Sequence, residues 1–184
     1  EKCRSIMEYE VIKSGMNLFG WRQVPVNSSI IGEKANYTRP EIEQLIFSPK
    51  EKNTNIEKTL YLTRKRIENK IKSLNINNFY ICSLSSEVII YKGMFLAEQL
   101  SSFYPDLLDP DFKSKFSVYH QRYSTNTFPT WSLAQPFRVL AHNGEINTLK
   151  GNLNWMKAHE TRITDDFFAE RVEDLKPILD PDAS

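Results

Sequence analysis

The feature that most constrains the fold is one long amphipathic pattern in the first half of the chain. Apolar residues recur there at helical spacing, at Ile56, Leu60, Ile67, Ile71 and Leu74. Thr54 and Glu57 precede this pattern as the Thr-x-x-Glu of a capping box. The basic run 63–72 forms the other face, and because acids are interleaved in it we favour a solvated face over an RNA-binding one. The sequence therefore predicts a single long helix with one buried stripe.

Shorter runs on both sides of this helix alternate between helical and strand-like patterns. The first predicted helix is a stretch that includes Met7, Val11, Leu18 and Phe19, and Gly15 and Gly20 interrupt or end it. Two further helices are predicted at 94–104 and 145–160. The predicted strands are 21–26, 44–47, a hairpin of 79–84 with 87–93, and then 115–124 and 136–144, with a loop at 106–112. Hairpins interleaved with helices predict an α+β fold with a largely antiparallel sheet.

Composition narrows the class of protein. The chain has 184 residues with 40% hydrophobic and 26% charged residues, which is typical of one soluble globular domain with a sizeable core. The formal net charge is +1, so general attraction to nucleic acid or to anionic lipid is not indicated. Cys3 and Cys82 have no metal-ligand spacing, and a reducing interior is expected. The first residues read as the middle of a helix, which suggests a segment of a longer polypeptide.

Two polar stretches interrupt the apolar second half, and the first is RYSTNT at 122–127. Arg122 follows a predicted strand, where a guanidinium can hold a carboxylate through two parallel hydrogen bonds. From the residues alone, a surface salt bridge is the simpler interpretation. The hydroxyls and the amide of 124–127 are either turn formers or contacts for a polar ligand.

The second polar stretch is AHNGEINT at 141–148. Asn-Gly is a common hairpin turn, but a helical pattern rather than a strand follows Asn143 and Gly144. The Asn side-chain amide and the Gly backbone N–H are able to form an oxyanion hole. His142 has no partner nucleophile in the sequence, so a structural role is favoured for it, and Cys82 is expected to be a small buried residue. The two stretches provide a carboxylate clamp and an oxyanion hole without a nucleophile, which is half an acyl-transfer site.

Residues 119–157 resemble the glutaminase domain of the glutamate synthase large subunit. So do GWRQVPV, LYLTRKRIE, FYICSLSSEVIIYKGM and FYPDLLD. The motifs RYST and HNG fit any class II glutamine amidotransferase, whereas the extended NGEINTLKGNLNW points to glutamate synthase. The resemblance implies an N-terminal-nucleophile hydrolase fold, an αββα sandwich with mainly antiparallel sheets.

The same resemblance implies an incomplete domain. The family nucleophile is a cysteine followed by glycine at the mature N-terminus, whereas Cys3 is followed by Arg4 and precedes a helical stretch. The family aspartate that holds the substrate amino group would follow near the end of the chain, and Asp182 does not match its motif. Residues 1–184 are therefore expected to be part of one amidotransferase domain, lacking the nucleophile strand and the C-terminal remainder, and inactive alone.

The chemistry implied by the resemblance is ammonia release from L-glutamine. A cysteine thiolate attacks the side-chain amide and forms a glutamyl thioester, and the ammonia reaches a separate FMN domain where 2-oxoglutarate becomes L-glutamate. Arg122 matches the arginine that holds the α-carboxylate of glutamine, and Thr125 matches a nearby ligand contact. Asn143 and Gly144 match the oxyanion-hole pair, while His142 carries no assigned role.

The resemblance also implies cofactors and partners. No cofactor or metal is expected in this segment, and FMN and an iron-sulfur cluster are implied elsewhere in the parent enzyme. The implied partners are L-glutamine, the remaining domains, and either a small NADPH-oxidising subunit or ferredoxin. Nucleic acid and membranes are not expected as partners. The expected location is the cytoplasm, or alternatively the plastid stroma. Two other interpretations stay open: a catalytically inactive amidotransferase-like domain, and the amidotransferase domain of another biosynthetic enzyme.

Overall fold

A computed structural model describes residues 1–52, 55–123, 128–137, 149–163 and 172–179. The helices in these ranges are α1 (Lys2–Lys13), α2 (Glu33–Tyr37), α3 (Ile56–Ser73), α4 (Leu100–Phe103), α5 (Leu149–Glu160) and α6 (Val172–Leu175). The strands are β1 (Met16–Gln23) and β2 (Glu43–Pro49), and 3₁₀ turns span Ser28–Ile30, Ala97–Gln99 and Pro105–Leu108. The two strands pair antiparallel, so helices and a small antiparallel sheet are combined as predicted.

The segment after α1 is a strand rather than the helix that the sequence pattern predicts. Helix α1 ends at Lys13, and Gly15 turns the chain with a φ of +83° that favours glycine. Leu18 then pairs with Phe47 of β2, so the helix prediction was wrong for Leu18 and Phe19. The register shifts between Leu18 and Gly20, where a φ of +147° accommodates a bulge. Pairing with β2 outweighs the local helical spacing, and the strand predicted at 44–47 is confirmed within β2.

Helix α3 confirms the long amphipathic pattern, but its second face is covered too. Ile67 is fully buried on the apolar stripe. Within the basic run, Arg66 forms ion pairs with Glu10 of α1 at 3.1 Å and with Asp174 of α6 at 3.3 Å. The prediction of a solvated face was therefore wrong for these residues, because segments distant in sequence pack over them.

The start of α3 differs in part from the predicted capping box. Asn55 is the N-cap residue and its side chain makes no capping hydrogen bond, while Thr54 lies outside the described residues. The carboxylate of Glu57 accepts a hydrogen bond from the backbone N–H of Ser86 at 2.7 Å and others from the hydroxyls of Ser85 and Ser86. Glu57 thus fixes the serine-rich turn against α3.

The larger of two buried clusters is mainly aromatic, and we call it the aromatic core. Its buried members are Val24, Ile31, Phe103, Tyr104 and Trp131. The ring centroids of Phe103 and Tyr104 lie 4.7 Å apart in an edge-to-face arrangement, which suits aromatic quadrupoles. The second cluster consists of Val11, Met16 and Leu60, where α1, β1 and α3 meet. The aromatic core is the part of the fold that positions the candidate site.

Several predicted strands form no ladder in the described part of the chain. The runs 79–84 and 87–93 form no ladder with each other, so the predicted hairpin was wrong. Tyr80 and Tyr91 pack against the aromatic core instead. Residues 115–123 and 136–137 are likewise without strand assignment, and 124 and 138–144 lie outside the described residues. Alternation of residue types predicts extension, but a strand also requires a backbone partner, which local sequence does not specify.

The remaining helix predictions are confirmed with shorter bounds. The predicted helix 94–104 is realised as the 3₁₀ turn Ala97–Gln99 followed by α4. The predicted loop 106–112 begins within the 3₁₀ turn Pro105–Leu108. Helix α5 confirms the helix predicted after Gly144 over Leu149–Glu160, while residues 145–148 lie outside the described residues.

Candidate functional site

Arg122 is the one predicted site residue that falls within the described part of the chain. It is exposed to solvent in the segment without regular secondary structure that precedes residues 124–127. Its backbone N–H donates to Nδ1 of His120 at 3.1 Å. The predicted residues Thr125, Asn143 and Gly144, together with His142, lie outside the described residues. The guanidinium of Arg122 is accessible to a carboxylate arriving from solvent.

The phenol of Tyr123 fixes the backbone next to Arg122. Its hydroxyl lies 3.0 Å from the carbonyl oxygen of Thr130 and 3.3 Å from that of Gly93. Burial raises the pKa of Tyr123 to about 12, so the hydroxyl remains a donor at neutral pH. One side chain therefore connects both ends of the segment 123–130 to residue 93.

Gly93 is held against the indole ring of Trp131. A Cβ atom at position 93 would lie 2.4 Å from Cζ3 of Trp131, closer than real carbon atoms approach. Trp131 is 4% exposed, and its Nε1 donates to the carbonyl oxygen of Ala35 at 3.0 Å. The contact requires glycine at position 93 and holds the residue that follows Thr130 in the aromatic core.

Lys92 is a buried cation beside this contact. Its Nζ donates to the carbonyl oxygen of Ser132 at 2.6 Å and lies 5.3 Å and 5.7 Å from the ring centroids of Tyr80 and Phe137. Burial lowers the pKa of Lys92, since the charged form loses hydration. The Tyr104 hydroxyl donates to the Lys92 carbonyl oxygen at 2.8 Å. Lys92 thereby contacts Phe137, which precedes residues 138–148 and the oxyanion pair predicted among them.

A separate cavity of about 410 Å³ lies between the C-terminal ends of α3 and α5 and residues 176–179. Lys72, Lys157, Lys176 and Glu160 are among its lining residues. Lys72 and Lys157 occupy the last turns of their helices, where a cation complements the helix dipole. Their positions are thus accounted for by helix stability.

Comparison with known proteins decides the family. The model of the class-II glutamine amidotransferases matches residues 1–184. The chain belongs to this family.

Relatives of this amidotransferase chain are glutamate synthases. It is 62% identical to the glutamate synthase [NADPH] large chain of Azospirillum brasilense over 97% of the chain. It is 45% identical to the chloroplastic ferredoxin-dependent glutamate synthase of Oryza sativa subsp. japonica over its full length. It is also 45% identical to the glutamate synthase [NADPH] large chain of Bacillus subtilis over 94% of the chain. The chain spans 12%, 12% and 11% of the lengths of these relatives.

The two cysteines of this amidotransferase chain lie in different local environments. Cys3 lies in the first turn of α1, so the helical setting predicted for it is confirmed. Burial raises the pKa of the Cys82 thiol, and nearby Lys92 opposes that shift in part. A raised pKa keeps the sulfur protonated and unreactive. The side chain is half-buried, so the small buried residue predicted at this position is confirmed only in part.

Sequence reasoning did not predict the contacts that Tyr123, Gly93 and Lys92 make with one another and with residues 130–132. The signal for Lys92 was a lysine inside the apolar run 87–93, where a charge is out of place unless it is paired. The importance of Gly93 follows from a contact with Trp131, far along the chain, and no local pattern predicts it. Within the described ranges, no group of three His, Cys, Asp or Glu side chains is placed to hold a metal ion. No helix in those ranges combines the length and the apolar character needed to cross a membrane.

Proposed function

We propose that the chain is part of the glutamine amidotransferase portion of a glutamate synthase and takes part in releasing ammonia from L-glutamine. The observation that carries this proposal is the family match over residues 1–184 together with 62% identity to the Azospirillum brasilense large chain. Chloroplastic and bacterial relatives with the same activity in their names match 94% or more of the chain.

The proposed complete fold is the N-terminal-nucleophile αββα sandwich, of which residues 1–184 form a part. Large apolar side chains on the described surface support it: Phe116, Tyr119 and Trp155 are 79%, 81% and 80% exposed. Phe116 and Tyr119 lie in the run before Arg122, which forms no strand ladder. Exposed aromatic side chains on such a run are suited to contact with further elements of a domain. The remainder of the domain would supply those elements.

In the proposed site, Arg122 holds the α-carboxylate of glutamine and Thr125 provides a nearby polar contact. Asn143 and Gly144 donate to the oxygen of the scissile amide as it becomes negative. A cysteine outside residues 1–184 attacks the amide carbon. The carbon–nitrogen bond breaks and the nitrogen leaves as ammonia after gaining a proton, leaving a glutamyl thioester that water hydrolyses. Because neither Cys3 nor Cys82 matches that nucleophile, residues 1–184 alone would not hydrolyse glutamine.

The proposed cofactors and the electron donor belong to other parts of the polypeptide or to a partner. FMN and an iron-sulfur cluster would serve the reduction of 2-oxoglutarate and ammonia to L-glutamate. The candidate donors are an NADPH-oxidising subunit and reduced ferredoxin. The Azospirillum brasilense relative, at 62% identity, is named for NADPH. The Bacillus subtilis NADPH protein and the rice ferredoxin protein are each 45% identical, so both donors belong in the assay.

The test uses the full-length protein that contains this chain. We expect it to form glutamate from 2-oxoglutarate with either L-glutamine or free ammonia as the nitrogen source, given NADPH with its partner subunit or reduced ferredoxin. An amidotransferase inhibitor that alkylates the nucleophile should abolish only the glutamine-dependent rate. Activity with ammonia but none with glutamine would indicate the inactive amidotransferase-like alternative. Use of glutamine without any 2-oxoglutarate-dependent product would indicate a different biosynthetic enzyme.

A further inference from the structure

We infer that Tyr123 is a positioning residue for the glutamine carboxylate, acting through Arg122 by fixing the backbone on both sides of residues 124–127 to Gly93. The inference rests on the proposed function, since it assigns a role within the proposed glutamine site. Tyr123 itself would not touch substrate.

The geometry at the hydroxyl carries the first step. The Tyr123 oxygen lies 3.0 Å from the Thr130 carbonyl oxygen and 3.3 Å from the Gly93 carbonyl oxygen. A phenol has a single proton, so one donor is shared between these two acceptors and the shorter contact is the stronger one. The hydroxyl thus connects Tyr123 to the backbone at Thr130 and at Gly93.

The second step is that Gly93 is itself held in place by its neighbours. Gly93 lies against the indole of Trp131, and Trp131 is bonded through Nε1 to Ala35 at 3.0 Å. Next to Gly93, the Lys92 ammonium is bonded to the Ser132 carbonyl oxygen at 2.6 Å. The residues that follow Thr130 are therefore held by the aromatic core. On the Arg122 side, the hydroxyl of Tyr123 connects the chain to the same core.

The consequence for Arg122 follows from the cost of ordering. An exposed arginine that must hold a carboxylate through two hydrogen bonds loses side-chain freedom on binding, and it loses more if its backbone is also free. Fixing the neighbouring backbone beforehand removes that second cost. The α-carboxylate of glutamine does not react, so it is held equally before and during the attack on the amide. Loss of the Tyr123 hydrogen bonds should therefore raise the KM for glutamine and leave kcat nearly unchanged.

The experiment compares Tyr123→Phe with wild type in the full-length protein. The variant removes only the hydroxyl and keeps the ring. We expect the glutamine KM to rise about fivefold, as for one neutral hydrogen bond, with kcat within about twofold. Ammonia-dependent glutamate synthesis should be unchanged. Tyr9→Phe is the control, because it removes a tyrosine hydroxyl from an exposed ring on α1, away from the aromatic core and from residues 122–130.

A second variant tests the other end of the segment. Trp131→Phe removes the bond to Ala35 and shrinks the ring against Gly93, and it should raise the glutamine KM in the same direction. Since KM does not depend on the amount of active enzyme, the measurement holds even where only part of a preparation folds. An unchanged KM in Tyr123→Phe, or a fall in kcat alone, would overturn the inference.

Arg122→Ala, measured in parallel, separates this inference from the proposed function. If Arg122→Ala leaves the glutamine KM unchanged, the proposed carboxylate site itself is wrong. If Arg122→Ala raises the KM and Tyr123→Phe does not, the proposed site stands and only the positioning role of Tyr123 is rejected.

Discussion

Arg22 and Asp106 form a two-point ion pair that joins the sheet to the 3₁₀ turn Pro105–Leu108. The guanidinium nitrogens of Arg22 lie 2.8 Å and 2.6 Å from the two carboxylate oxygens of Asp106. The Tyr91 hydroxyl adds a bond to the same carboxylate at 2.9 Å. This arrangement holds the pKa of the Asp106 carboxyl below its ordinary value, with the Arg22 hydrogen bond as the largest cause. The pair connects β1 to the run 87–93 that carries Lys92 and Gly93.

Asp106→Asn should therefore destabilise the fold at neutral pH and much less in acid. A carboxylate with a lowered folded-state pKa contributes stability that is present above its unfolded pKa of about 3.9 and is lost as the pH falls through the folded value. Charged hydrogen bonds contribute about 1.5–3 kcal/mol, and exposure of Arg22 reduces that, so we expect a loss of about 1–2 kcal/mol at pH 7. Thermal melts between pH 7 and pH 2.5 measure the effect.

The control for this prediction is Asp111→Asn. Asp111 is 93% exposed and lies 3.8 Å from Lys113, so its pair contributes little. A difference in melting temperature between wild type and Asp106→Asn that persists unchanged to pH 2.5 would refute the ion-pair assignment.

Arg66→Ala should lower the stability of the domain by about 1–3 kcal/mol, because it leaves partly buried acceptors without a donor. Arg66 is bonded to Glu10 of α1 at 3.1 Å, to Ser14 at 2.7 Å, and to Asp174 of α6 at 3.3 Å. Chemical denaturation of the two proteins side by side measures the loss. Lys113→Ala is the matched control with an exposed pair, and a loss in Arg66→Ala no greater than in this control would contradict the prediction.

Gly93→Ala should destabilise the fold by about 1–3 kcal/mol, as for overpacking a filled site. The added carbon would lie 2.4 Å from Trp131 and 2.5 Å from Phe95, both in or against the aromatic core. Gly151→Ala offers the opposite expectation. Among the described residues, no heavy atom outside the backbone of α5 lies within 4 Å of a Cβ built there, and alanine is favoured over glycine in a helix by up to about 1 kcal/mol. A melting temperature of Gly93→Ala at or above that of wild type would show that the Trp131 contact does not limit position 93.

The extent to which the sequence predicts this structure follows from what each pattern encodes. The apolar spacing around Ile67 is enough to predict α3, because each backbone hydrogen bond of a helix joins residues only four positions apart. The residue patterns of 79–84 and 87–93 predict only an extended backbone, because the partner that a strand pairs with lies in another part of the sequence. Leu18 illustrates the same limit, because its pairing with Phe47 overrides a helical spacing. The role proposed for Arg122 comes from its motif and stays a prediction, whereas the Tyr123 hydrogen bond to Gly93 depends on a contact thirty positions away.

Arg122→Ala in the full-length protein should weaken glutamine binding by ~2–4 kcal/mol, the loss expected for a charged, hydrogen-bonded partner. The reason is the solvent-exposed guanidinium before residues 124–127, which we propose holds the α-carboxylate of glutamine. Steady-state kinetics with glutamine and with ammonia measure the effect, and the ammonia-dependent rate should survive. Arg162, on the chain after α5, provides a control substitution away from this motif. A glutamine KM equal to that of wild type would make Arg122 a surface residue without a role in binding.

Asn143→Ala in the full-length protein should slow glutamine-dependent turnover by ~100- to 1000-fold, the usual loss for one oxyanion-hole donor. The motivation is the Asn-Gly pair followed directly by the pattern that leads into α5, a context in which a hairpin turn is out of place. Negative charge develops on the amide oxygen only as the thiolate attacks, so kcat should fall while the glutamine KM changes little. If the pair is only a turn, the variant should instead melt at a lower temperature and keep a near-normal kcat in its folded fraction. Thermal melting measured together with steady-state kinetics distinguishes the two outcomes, and a destabilised but fully active enzyme would reject the oxyanion-hole assignment.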